Sequence, residues 1–256
     1  MKKITQNTLT ILFCITLIAG CSKDSSSPSN DPTSIDGGGI TETGGSLARF
    51  SIVNDNLYIL TQNTLFTYSL ADKRHPKYQT SVFVATGAET LFSLDNTLLI
   101  GTQNGMLIYA LDNPNKPKYI STYAHVRSCD PVVAKGQYAY STLRVASNCD
   151  RGVNRLDVID ILNINSPKQV SSLDMENPIG LGITQNNLYV CDNNKIKIYS
   201  LSNPESPVLQ GYTVLTGCFD IIIKNDILLA VGKQGVTQFT IKNDGTLESL
   251  SVITTD

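Results

Sequence analysis

The chain has no tryptophan and only two histidines, His75 and His125. A repeat described below sets these on opposite faces, which argues against a histidine-built metal cage or a Ser-His-Asp triad. Gly44-Gly45-Ser46-Leu47-Ala48 comes near a nucleophile elbow but lacks its last glycine. P-loop, EF-hand, H-E-x-x-H and C-x-x-C patterns are missing as well. Charge is sparse and balanced, with 20 Lys and Arg against 22 Asp and Glu and no basic run, so nucleic acid is not an expected partner. No apolar run reaches the roughly 20 residues that span a bilayer. No window holds a 3.6-residue period, so helix is not expected beyond the leader. These absences leave catalysis open, because a site gathered from several repeats carries no short motif.

What the chain does have is a period. Pro76, Pro117, Pro167 and Pro207 close equivalent turns, at steps of 41, 50 and 40 residues. Asn243-Asp244-Gly245 marks a fifth turn without proline. The runs before these turns align without gaps, as in Phe66-Thr67-Tyr68-Ser69-Leu70 and Leu107-Ile108-Tyr109-Ala110-Leu111. Second landmarks are Leu57-Tyr58-Ile59, Leu98-Leu99-Ile100, Tyr138-Ala139-Tyr140, Leu188-Tyr189-Val190 and Ile227-Leu228-Leu229. Each copy holds four β-type runs, Leu47–Val53, Leu57–Thr61, Leu65–Leu70 and Lys77–Val84 in the first. Asn and Asp pairs between the first two runs suit tight hairpins, because they tolerate left-handed backbone. Four short antiparallel strands every 40-odd residues predict an all-β fold, a five-bladed β-propeller over residues 46–256.

Before the repeats, Lys2 and Lys3 precede an apolar stretch from Leu9 to Ala19, the shape of a secretory signal over residues 1–20. Ile18-Ala19-Gly20-Cys21 resembles a bacterial lipobox, in which Cys21 carries the lipid. That resemblance implies an acylated N-terminus and a membrane partner through the anchor. Residues 21–45 are mostly Ser, Gly, Asp, Pro and Thr and read as a flexible tether. The expected location is the cell envelope, on an outer-membrane lipoprotein facing the periplasm or the surface.

Four further cysteines remain in the repeats, an even number for an exported chain. Cys129 and Cys218 share one repeat position, Cys191 ends a second strand, and Cys149 lies in the insert that lengthens the third step. All four fall on one face. The pairing expected is Cys129–Cys149 within a blade and Cys191–Cys218 between blades, with free buried thiols as the alternative for the second pair.

The same frame places Arg49, Glu89, Asp130 and Asp220 at or beside inner-strand entries, with Arg127 and Arg144 in adjoining segments. These six residues are the candidate ligand-binding set at one mouth of the channel. A mutually paired, solvated rim is the alternative reading. No catalytic residue, metal ligand or cofactor is assigned.

Leu156-Asp157-Val158-Ile159-Asp160, with Asn163, Ser166 and Pro167 behind it, resembles the LVIVD-repeat proteins; Asn113-Pro114-Asn115-Lys116-Pro117 and Asn203-Pro204-Glu205-Ser206-Pro207 repeat the turn. The resemblance implies a bacterial envelope protein of propeller type and brings no activity or site with it. The function expected is a lipid-anchored module binding a protein or glycan partner. The competing expectation is an envelope hydrolase or lyase working at the channel mouth through Glu89, Asp130, Arg127 and His125.

Overall fold

The computed structural model describes residues 45–125, 131–145 and 153–254. The regular elements there are all strands, arranged as five antiparallel four-stranded sheets around an axis. Blade 1 is β1 (Phe50–Val53), β2 (Asn56–Leu60), β3 (Thr64–Ser69) and β4 (Lys77–Phe83). Blade 2 is β5 (Ala88–Leu94), β6 (Thr97–Thr102), β7 (Gly105–Ala110) and β8 (Lys118–Ala124). Blade 3 is β9 (Val132–Lys135), β10 (Tyr138–Leu143), β11 (Arg155–Asp160) and β12 (Lys168–Asp174). Blade 4 is β13 (Pro178–Ile183), β14 (Asn187–Asp192), β15 (Lys195–Ser200) and β16 (Val208–Val214). Blade 5 is β17 (Cys218–Lys224), β18 (Ile227–Gly232), β19 (Gly235–Ile241) and β20 (Leu247–Thr254). The five-bladed architecture expected from the repeat is the one observed.

Local chemistry sets the hairpins. Asn54-Asp55 and Asn193-Asn194 turn the chain with positive φ at both residues, which short polar side chains tolerate. Every blade carries a β-bulge between its third and fourth strands, beside Tyr68, Tyr109, Ile159, Tyr199 and Phe239. A bulge increases local twist, as the outer edge of a propeller blade requires.

The first strand starts three residues later than the sequence suggests, and the second-strand alignment shifts by one residue in blades 3 and 5. The first strand begins at Phe50, because residues 45–48 belong to a segment that crosses the axis; Arg49 O already accepts from Leu60 N of the same blade at 2.7 Å. In the second strands, Leu98 pairs with Tyr109 and Leu188 with Tyr199, whereas Ala139 pairs with Ile159 and Leu228 with Phe239. Ala139 and Leu228, not Tyr138 and Ile227, are therefore the counterparts of Leu98. A one-residue slip exchanges the two faces of a strand, and composition alone does not separate faces that are both apolar.

The core consists of seams between consecutive blades. One cluster joins blades 1 and 2 through Tyr58, Leu60, Leu98 and Ile100. Others join blades 2 and 3 through Leu99, Ile108 and Ile159, blades 3 and 4 through Tyr140, Val158 and Leu188, and blades 4 and 5 through Tyr189, Ile198 and Leu228. Three of the seams share a latch. Tyr58, Tyr140 and Tyr189 each reach across and donate to a turn carbonyl of the following blade, at Pro114 (2.7 Å), Pro204 (3.0 Å) and Gly245 (3.0 Å). Burial pushes the Tyr140 and Tyr189 phenols up to about 12, so both stay protonated donors at neutral pH.

Candidate functional site

The face where inner strands begin is built by a second set of bulges. The β5–β6, β13–β14 and β17–β18 pairings each shift near the strand start, at Ala88/Thr90, Pro178/Leu181 and Cys218/Asp220. Glu89 and Phe219 are the extra residues in their blades. Glu89 is half-buried and accepts from Gln103 Nε2 at 3.1 Å.

Asp220 lies one position further in and is buried rather than set on the rim. Its Oδ1 accepts from Ser46 Oγ at 3.0 Å, from its neighbour Ile221 N at 2.9 Å and from Leu47 N at 3.3 Å. Burial raises the carboxyl above its usual range, against the pull of these donors. Ser46 Oγ in turn accepts from Leu181 N in blade 4 at 2.8 Å, and Ala48 O accepts from Leu91 N in blade 2 at 2.8 Å. The segment 45–48 thus crosses the axis and ties three blades together. Gly45 permits this: a Cβ there would lie 2.2 Å from Asp220 Oδ2. Gly180 and Gly182 let the inner strands of blades 4 and 5 approach closely, since a Cβ would meet the Phe219 carbonyl at 2.5 Å or the Ile221 side chain at 2.5 Å.

A void of about 50 Å³ is lined by Ser46, Phe92, Val133, Leu181 and Ile221 among others. It is too small for a substrate. Arg49 is exposed and Arg144 half-buried on the entry side. Arg127 and Asp130 lie outside the described residues, as do Cys21, Cys129, Cys149 and the tether.

Cys191 and Cys218 are joined by a disulfide between blades 4 and 5, with Cα atoms 5.6 Å apart. Beside it stands a polar group that the sequence did not announce. Asp192 is fully buried and accepts from Asn177 N at 2.6 Å and Glu176 N at 3.2 Å. Lys197 Nζ lies 2.6 Å from Asp192 and 3.4 Å from Glu176. Burial pulls the Lys197 ammonium down, but its carboxylate partners outweigh this and hold it above its ordinary range. A second buried carboxylate, Asp157, pairs with Arg155 at 2.6 Å and with the Tyr123 hydroxyl at 3.1 Å in the seam of blades 2 and 3. Both groups fix blades and turns rather than face an open channel.

On the opposite face, a cleft of about 610 Å³ opens between blades 3 and 4, lined by Lys135, Gln137, Tyr138, Gln185, Asn186 and Ser202. The Tyr138 hydroxyl donates to Glu205 Oε1 at 2.6 Å and accepts from Gln137 Nε2 at 2.7 Å. The repeat showed only short turns on this side. The cleft lies between turns of two adjacent blades, which no single repeat encodes.

No family model matches the chain, and no curated protein matches it. Solved structures do match in fold. A protein from Lactobacillus plantarum is 12% identical with a TM-score of 0.64, over 80% of this chain and 74% of that one. A functionally unknown protein from Desulfotomaculum acetoxidans is 16% identical with a TM-score of 0.62, over 77% and 66%. The periplasmic gluconolactonase of Pseudomonas aeruginosa is 10% identical with a TM-score of 0.60, over 78% and 68%. The chain spans about two thirds to three quarters of the length of these neighbours, and at such identities the likeness is one of fold: the chain is a β-propeller similar to bacterial propellers.

Proposed function

We propose that this chain is a lipid-anchored binding module of the bacterial cell envelope, an LVIVD-type propeller that presents its entry face to a protein or glycan partner. The bridged mouth is the observation that carries this reading. Segment 45–48 spans the mouth, and among the described residues its polar groups Ser46 and Asp220 are spent on each other and on backbone N–H groups rather than turned to a ligand. Asp220 then serves as a support that holds Ser46, while Arg49, Glu89 and Arg144, with Arg127 and Asp130 of the sequence-derived set, make the contact. Cys21 supplies the anchor, the tether supplies reach, and a Cys129–Cys149 disulfide would order the insert on the same face.

The test is retention of an envelope component by the immobilised chain. Arg49→Ala with Arg144→Ala should reduce retention, and Gln137→Ala with Gln185→Ala should not. Loss with the second pair alone would move the site to the cleft of blades 3 and 4. Anchoring is checked separately by metabolic labelling with a fatty-acid analogue, which Cys21→Ala should abolish. Peptide mapping without reductant should find Cys129 and Cys149 linked.

A further inference from the structure

Each of blades 2–4 packs one face on the blade before it and one on the blade after it. At the centre of the forward face stand Tyr58, Leu99, Tyr140 and Tyr189 in blades 1–4, none more than 1% exposed. The counterpart in blade 5 is Leu229, placed by its neighbour Leu228 pairing with Phe239. Leu229 is only half-buried, and so are Ile222, Val231 and Val236 on the same face. The backward face tells the same story at the other end. Leu98, Ile100, Leu188, Val190, Leu228 and Ala230 are fully covered, whereas in blade 1 Leu57 is half-buried, Ile59 is 36% exposed and Phe50 54% exposed. Phe66 and Tyr68 extend that open patch. Among the described residues no apolar cluster joins blade 5 to blade 1. The bonds between them lie at the mouth, where Ser46 and Leu47 meet Asp220.

We propose that these two faces are halves of an intermolecular seam, with blade 5 of one copy packing on blade 1 of a second copy, head to tail. The occupant follows from the faces themselves. In this chain a forward blade face is covered by a backward blade face at all four packed seams. The uncovered pair is one of each kind; the blade 5 face is apolar at Ile222, Leu229, Val231 and Val236, with the uncharged Gln238 opposite Leu229 and Asp220 at its inner end, so a second copy carries the complement of both. The chain's own tether does not, since residues 22–44 hold no aliphatic side chain besides Ile35 and Ile40. Contiguous apolar faces of this kind are rarely left bare on a monomer. A heterologous contact also leaves one face of each terminal copy free, so assembly is open to extension or ring closure.

The experiment is light scattering on the mature chain, residues 22–256 without acyl group, across a dilution series. The mass should correspond to two or more copies at high concentration and fall toward one on dilution. Ile59→Asp and Leu229→Asp should each weaken association roughly a hundredfold or more, by placing a charge at the centre of the contact. Mixed together, the two variants should recover a mass of two copies, because each keeps the face that the other lacks. Circular dichroism checks that both fold; Phe50→Asp and Val236→Asp replace them if they do not. A single-copy mass at every concentration, or a mixture that stays at one copy, would overturn the proposal. So would association that appears only after residues 22–44 are removed, which would give the faces to the tether. A fall in melting temperature in both variants without any change of mass would place the closure inside one chain.

Discussion

Leu99 in blade 2 and Leu229 in blade 5 occupy the same position of the same repeat. Leu99 is fully buried against blade 3, while Leu229 lies half-open with no blade against it. Equal residues at equal positions thus carry unequal energies, because burial and not identity sets the hydrophobic contribution. The same contrast holds between whole blades. β10 and β14 are buried along their length, whereas β18 alternates buried with half-buried positions, as a strand with one covered face does. A repeat array is stabilised by its interfaces, so the interior seams and the unpaired end faces should respond differently to substitution.

The largest expected difference is at that pair. Leu99→Ala should cost about 2–5 kcal/mol, the range for a fully buried leucine. Leu229→Ala, measured at a concentration where the chain is a single copy, should cost less than about 1 kcal/mol. Equal losses in denaturant titration would show that the end face is packed after all. Next comes the staple of the fourth seam. Cys191 and Cys218 are 27 residues apart, and replacing both by serine should cost about 3.5 kcal/mol by the loop-entropy argument. Unfolding the oxidised and reduced chains in parallel checks it.

The crossing segment offers a subtler comparison. Asp220→Ala strands Ser46 Oγ and Leu47 N and should cost about 1–3 kcal/mol. Asp220→Asn keeps an acceptor for them and removes a carboxylate whose ionisation burial opposes, so it should be neutral or stabilising. A carboxyl raised in the folded state is favoured where it is protonated, and that contribution fades as pH rises through its folded value. The advantage of the asparagine variant should therefore be present at pH 7 and vanish toward acid.

The smallest effect concerns the latches. Tyr189→Phe leaves the Gly245 carbonyl without its partner and should cost about 1 kcal/mol. The raised phenols of Tyr140 and Tyr189 contribute stability that is complete below pH 10 and is lost as pH approaches about 12. The Tyr189→Phe chain should accordingly lose less stability than the parent between those pH values in thermal melts.

Much of this molecule was legible in its sequence. Repeat spacing and Asn/Asp turns determined five blades of four strands, since a short alternating run bounded by turn residues has few other solutions. The shared frame also brought Cys191 and Cys218 to one face, because equivalent positions in a repeat occupy equivalent places in space. Strand register in blades 3 and 5 was not legible, as both faces of an interior blade are apolar and the alternation that would fix it disappears. Nor was the role of Ser46. It lies 174 residues from Asp220, and only the arrangement of the blades around the axis brings them within 3.0 Å. Tertiary structure decided that the mouth is bridged, that the cleft opens between blades 3 and 4, and that one forward face and one backward face stay uncovered. Each depends on how whole blades meet, and a local pattern specifies a blade without specifying its neighbours.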